Sequence, residues 1–276
     1  MKVKLSAVII TFNEEANLHR CLSSISDVVD EIIVVDSYST DATEKIAKEF
    51  KINFFKNKFN GHIEQKNFAI SHALFPFILS LDADEAIDET LKNEILKIKA
   101  SNNPADGYIT NRHNNYCGQW INHGAWKSDL KLRLWNSQKG KWGGLNPHDK
   151  FEMQAGSNIE KLKGKILHYS YTSIAEHEGK VEYFSSIAAK AYLLKGKKSS
   201  YFKIGFSPIF RFVRDYFLNL GFLDGKFGFI IAKLTAKEVY LKYKKLMEHY
   251  AEKTCENKEF VKFQCHGFEF RGMSSL

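Results

Sequence analysis

Three short apolar runs in the first hundred residues, at 3–11, 31–35 and 77–81, each give way to acids or amides: Asn13-Glu14, then Asp36, then Asp82-Ala83-Asp84-Glu85. Between them lie stretches with apolar residues at helical spacing, such as Leu18, Leu22 and Ile25. That alternation predicts an α/β chain with a mostly parallel sheet flanked by helices. Ala7-Val8-Ile9-Ile10 is apolar without a polar face, as a strand covered on both sides requires. Helices are expected to open at Asn13 to Glu15, to run from Asp41 to Phe50 and to cover 64–74, with a shorter strand at 52–56. In open sheets ligands gather beyond the carboxyl ends of the strands, where these acids fall.

Strand side chains alternate in direction, so Asp82 and Asp84 leave the third run on the same side and can both reach one ligand. Two carboxylates with no Cys or His beside them favour a hard divalent cation, Mg²⁺ or Mn²⁺, which commonly holds phosphates. An isolated Asp-x-Asp is as readily a solvated turn. Its place directly after a buried strand argues for chemistry. No Gly-x-Gly-x-x-Gly follows the first run and no P-loop is present, so the dehydrogenase and P-loop readings fall away.

Four segments carry a family likeness in chain order: Val8-Ile9-Ile10-Thr11-Phe12-Asn13-Glu14-Glu15, Asp36-Ser37-Tyr38-Ser39-Thr40-Asp41, Gln65-Lys66-Asn67-Phe68-Ala69 and Leu81-Asp82-Ala83-Asp84-Glu85. Together they resemble the family 2 glycosyltransferases, whose fold is called GT-A. The resemblance implies that Asp36 holds the base of a nucleotide-sugar, that Asp82 contacts its ribose or the metal shell, and that Asp84 coordinates the metal bridging the diphosphate. It also implies that Thr11, Asn13 and Glu14 line the nucleotide pocket, with Lys66 close to the phosphates.

Arg133-Leu134-Trp135 and His148-Asp149 are similar to segments of a subgroup that adds β-glucosyl units to the inner core of bacterial lipopolysaccharide, where a His-Glu pair follows Arg-Leu-aromatic. An inverting transfer needs a base for the acceptor proton. The resemblance implies Asp149 in that role, an Asp where the subgroup has Glu, with His148 and Glu152 as alternatives. Lys131 and Arg133 either clamp phosphate or belong to a solvated turn. His168-Tyr169-Ser170 is also similar to the subgroup, so His168 supports the metal or is a buried, hydrogen-bonded histidine. All four tryptophans, Trp120, Trp126, Trp135 and Trp142, fall at 101–170; they stack on sugars or, more in keeping with tryptophan generally, serve as core.

Charge divides the chain. Residues 1–100 carry −4, leaving +12 for the rest of this +8 protein. Between Lys190 and Lys245, 13 Lys and Arg face Asp215, Asp224 and Glu238 among many Phe and Tyr. From Glu176 the pattern is helical, with Tyr183, Ile187, Ala191 and Leu194 on one stripe. Basic helices with aromatic faces suit an anionic membrane surface. No run approaches the ~18 apolar residues of a spanning helix and no signal-peptide layout opens the chain, so a cytoplasmic protein peripherally attached to the inner face of the membrane is expected. No nucleic-acid-binding module is recognisable.

The expected organisation is a GT-A catalytic domain at 1–175, with a nucleotide-sugar half at 1–100 and an acceptor half at 101–175. A helical basic extension at 176–250 and a tail at 251–276 of no assigned role follow. The expected function is metal-dependent, inverting transfer of a hexose, glucose from UDP-glucose, to a lipopolysaccharide-core or other lipid-linked glycan. The alternatives are a nucleotidyltransferase of related fold and a non-catalytic membrane- or polyanion-binding protein.

Overall fold

Strand β1 (Leu5–Thr11) is buried on both faces, and its two sets of side chains enter two different cores. Leu5, Ala7 and Ile9 join Leu18, Leu22 and Ile25 of helix α1 (Leu18–Ile25) and Leu91 and Ile95 of helix α4 (Glu89–Ala100). Val8 joins Ile33, Val35, Ile78 and, from helix α3 (His62–Ser71), Ala69. Each fully buried Leu or Ile contributes roughly 2 kcal/mol, so the unbroken apolar run is what a central strand needs.

The computed structural model describes residues 2–127, 129–145 and 148–267, without the side chains at 145, 148, 149 and 252–267. Strands β2 (Glu31–Asp36) and β4 (Phe77–Asp82) flank β1 in parallel, in a register that sets Thr11 opposite Asp36 and Ile10 opposite Asp82. Strand β3 (Asn53–Lys56) closes one side of the sheet, after the short helix α2 (Thr43–Ala47). On the other side come β8 (Leu130–Asn136), antiparallel to β4, then β6 (Gly107–Tyr116), β11 (Ile159–Tyr171) and β5 (Glu85–Ile87), with β7 (Gln119–Trp120) on β6. Among the described residues these nine strands form one sheet. The hairpin β9 (Gly140–Leu145) and β10 (His148–Met153) forms a second, whose Phe151 stacks on Trp135 at 4.2 Å.

The chain clusters into two units, one of residues up to Asn122 with Trp126–Thr172, the other of His123–Ala125 with Ser173 onward. In the second, Ser173 caps helix α5 (Ile174–Leu194) and Ser200 caps helix α6 (Tyr201–Val213). A π-helical turn, Arg214–Leu218, and a 3₁₀ turn lead to helix α7 (Gly225–Gly267). Lys245 of α7 reaches Glu182, Ser185 and Ser186 of α5. Buried Asp215 is paired with Arg211 and Arg214, and Asp224 accepts the His123 backbone N–H at 2.7 Å. No described helix is long and apolar enough to cross a membrane.

Several expected boundaries shift. Helix α1 begins at Leu18 rather than near Asn13, because Asn13 takes a left-handed φ of 54° and its polar groups bond the neighbouring loop. Helix α2 ends at Ala47, short of Phe50. The two longest of the described strands, β6 and β11, lie in the later part of the first unit; the polar side chains that β6 carries, Arg112 and Asn114 among them, hide the period-2 signal. In α5 the buried stripe is His177, Val181, Ser185 and Ala189, whereas Tyr183 and Leu194 of the anticipated stripe are 63% and 89% exposed.

Candidate active site

Parallel pairing in register brings Thr11, Asp36 and Asp82 to the same end of three adjacent strands. Asp36 is fully buried and its carboxylate accepts the Ser39 backbone N–H at 2.8 Å and the Ser39 hydroxyl at 2.5 Å. Thr11 is buried beside it, and its hydroxyl has no hydrogen-bond partner among the described residues. Asn13 and Glu14 tie two loops together: Asn13 donates its backbone N–H to Ser39 Oγ and accepts from Thr40 N–H, both at 2.8 Å, and the Glu14 N–H donates to Thr43 Oγ1.

Asp82 sits between two cations. Lys66 Nζ of α3 lies 3.2 Å from Oδ1 and Arg133 Nη2 of β8 lies 3.0 Å from Oδ2. Burial works to raise this carboxyl, but Lys66, Arg133 and, beyond them, Arg112 outweigh it and hold it well below the usual carboxylate range. Both oxygens of Asp82, expected to contact the ribose or the metal shell, face a cation. Asp82 and Asp84 face different protein groups.

Asp84 has a different partner. Its Oδ2 lies 3.2 Å from His168 Nε2 on β11, whose other ring nitrogen, Nδ1, is 2.6 Å from Asn114 Oδ1. Asn114 Nδ2 donates to the Trp126 carbonyl, which orients the amide with its oxygen toward the imidazole. Nδ1 then carries the proton, and Nε2 faces the carboxylate with a lone pair unless a proton or a metal ion lies between them. Two donors 3.2 Å apart match adjacent ligands on an octahedral ion with bonds of about 2.1 Å. No three described His, Cys, Asp or Glu side chains form a ready metal cluster, so phosphate oxygens and water would complete such a shell.

The sequence assigns no role to Glu85 or Arg112, yet both help build this corner. Glu85 is buried; Oε2 accepts the Asp82 N–H at 3.0 Å, while Oε1 receives Arg133 Nη2 at 2.7 Å and lies 3.5 Å from Arg112 Nη1. A third acid, closing the Asp-Ala-Asp run, was the only trace of this in the sequence. Trp135 and Trp142 are core residues; Trp120 and Trp126 are half-buried. Lys66 Nζ stands 4.5 Å over the Trp142 ring. The backbone of Asp149 pairs with Gly144 in the β9–β10 hairpin, and the side chains of Asp149 and His148 lie outside the described residues. Glu152 faces Lys150 at 3.4 Å.

Comparisons with known proteins agree on the chemistry's family. An uncharacterized glycosyltransferase of Rickettsia typhi is 32% identical over 255 residues, spanning 89% of this chain and 87% of the relative. The lipopolysaccharide core biosynthesis glycosyltransferase LpsC of Rhizobium meliloti is 28% identical, over 88% and 94% respectively. Residues 1–349 of S. aureus TarS, solved with UDP, align over 91% of this chain and 92% of that one at 17% identity and a TM-score of 0.45. The family model for glycosyl transferase family 2 matches residues 6–163, more than half the chain and the whole stretch from β1 into β11. The chain belongs to glycosyl transferase family 2.

Proposed function

We propose that the protein transfers a hexose, glucose from UDP-glucose, with inversion to a lipopolysaccharide-core or other lipid-linked glycan at the cytoplasmic face of the membrane. The observation that carries this reading is the Asp84–His168 pair standing beside the Lys66–Asp82–Arg133 cluster at the carboxyl ends of the strands. It offers two donors for a divalent ion next to two fixed positive charges, which is what a departing nucleoside diphosphate requires. A Mg²⁺ or Mn²⁺ ion held there would stabilise the charge on that leaving group by several kcal/mol.

The remaining work falls to the chain's own residues. Buried Asp36, with the unpartnered Thr11 hydroxyl beside it, is suited to hydrogen-bond the nucleoside base. Asp82 is kept ionised and is suited to accept from a ribose hydroxyl. Lys66 and Arg133 can exchange part of their hold on Asp82 for phosphate oxygens. Asp149 is assigned as the base that takes the proton from the acceptor oxygen as that oxygen attacks the anomeric carbon. The choice of acceptor draws on the name of the Rhizobium relative and on the subgroup resemblance.

Attachment to the membrane is proposed through helix α6, where Phe202, Phe206 and Phe210 form an exposed ladder with Lys203 and Arg211 on the same helix.

Replacing Asp84 by Ala should lower Mn²⁺-dependent hydrolysis of UDP-glucose by about 10² or more, the scale of losing one stabiliser of transition-state charge. Circular dichroism and the melting temperature should stay near those of the native protein. Unchanged hydrolysis in a folded Asp84→Ala variant, or none in the native protein with any nucleotide-sugar, would refute the reading.

A further inference from the structure

Between Lys203 and Lys226 every exposed residue is apolar or a glycine. Phe206, Ile209, Phe210 and Val213 make one stripe along helix α6. Phe217, Leu218, Leu220, Phe222 and Leu223 follow in the π-helical and 3₁₀ turns, and all nine side chains are 39–69% exposed. The four charged side chains of the stretch sum to zero: Arg211 and Arg214 bond the two oxygens of buried Asp215, and buried Asp224 lies 3.0 Å from His123 Nδ1. This face therefore carries no net charge for an anionic surface to attract. In water, a chain rarely leaves so many neighbouring large apolar side chains uncovered.

The turn is built to present these side chains. Leu220 takes a left-handed φ of 60°, a conformation costly for leucine and taken more readily by Gly or Asn. Close packing behind it leaves no room to relax: a Cβ on Gly221 would lie 2.6 Å from the Asp215 carbonyl oxygen, and one on Gly228 would lie 1.8 Å from that of Gly221. A strained leucine held outward by a rigid turn points to a role for its exposed side chain. What covers the face follows from what it lacks. Protein interfaces carry about one hydrogen bond per 100–200 Å², whereas no exposed side chain between Lys203 and Lys226 can donate or accept one. Hydrocarbon requires none. Lysines bound the stretch at both ends, where their stems can lie along apolar surface and place the ammonium among headgroups. We infer that α6 and the turn after it insert into the hydrocarbon of one bilayer leaflet through apolar burial rather than charge, which deepens the membrane attachment proposed above and rests on it. The 13 residues of α6 rise about 20 Å, short of the ~30 Å hydrocarbon core, so the insertion does not span it.

The test is flotation of the full-length protein with vesicles of phosphatidylcholine alone, at about 0.1 M and about 1 M NaCl. Binding to these neutral vesicles is expected, equal within about twofold at the two salt concentrations, because no attraction to lipid charge is there to be screened. Leu220→Asn should weaken it about tenfold without lowering the melting temperature, since asparagine accepts the left-handed conformation. Leu218→Ser, on a side chain 69% exposed, should weaken it to a similar extent and leave the turn undisturbed. Binding only to vesicles containing anionic lipid, with release at high salt, would overturn insertion while leaving surface attachment in place. Native binding by the two folded variants would overturn insertion as well. So would a lipid-free dimer, seen by analytical ultracentrifugation, that either variant dissociates, because a second copy would then cover the face. Failure to bind any vesicle, neutral or anionic, would instead refute the membrane attachment itself.

Discussion

Asp82 shows how neighbours rather than exposure decide a residue's charge. Burial opposes its ionisation, yet Lys66 and Arg133 prevail and its carboxyl is held well below the usual range. The linkage follows from the sign. The folded value lies below the unfolded one, about 3.9, so the stabilisation is complete above that pH and is lost as pH falls through the folded value. The stability advantage of the native protein over Asp82→Asn should accordingly be constant from pH 7 to about 5 and shrink below about 4, as read from urea midpoints across that range. An advantage that does not change in acid would show that Asp82 carries no shifted proton. The motif placed Asp82 and Asp84 in one role because strand alternation puts their side chains on one side. The residues that separate them, Lys66, Arg133 and His168, come from three other elements and could not be paired from spacing.

Helix α5 illustrates the same point for an element. Its helical character is plain in the sequence, but its buried stripe runs through His177, Val181, Ser185 and Ala189, with a histidine and a serine where an apolar pattern would be sought. Packing against α7 selects small and polar residues because Lys245 needs acceptors there. Burial lowers the His177 pKa from 6.5 to about 4, with Glu176 opposing and Lys180 assisting. A histidine with a depressed folded pKa leaves stability intact above its unfolded value and removes it as the pH falls toward the folded one. Between pH 6.5 and 4 the protein should lose up to about 3 kcal/mol from this group. His177→Gln should flatten that slope in guanidinium titrations; an unaltered slope would place the acid sensitivity elsewhere. Elsewhere close packing leaves no such latitude: a Cβ on Gly164 of β11 would lie 2.2 Å from the Leu91 backbone nitrogen.

For the molecule as a whole, the division of charge between an acidic opening and a basic, aromatic later part is visible in composition alone, and the proposed membrane attachment is tested at that scale. Replacing Phe202, Phe206 and Phe210 together by Ser should cut binding to vesicles of anionic lipid by about 10²-fold, since each ring that leaves the interface forfeits a fraction of its ~2 kcal/mol of burial. Sedimentation with vesicles measures it, and native binding in the triple variant would exclude α6 as the contact. The α/β class, the central strands and the acids at their ends were legible in the chain because apolar periodicity and local turn chemistry are written within a few residues. Such local patterns determine which segments become strands and helices, and which acids fall at the carboxyl ends. Only the tertiary structure decided that Asp82 is closed by two cations, that Asp84 meets His168, and that Glu85 holds two arginines beside them. Those contacts join residues 16 to 84 positions apart. They depend on sheet order and register, which arise when distant strands pair, and no local periodicity encodes that.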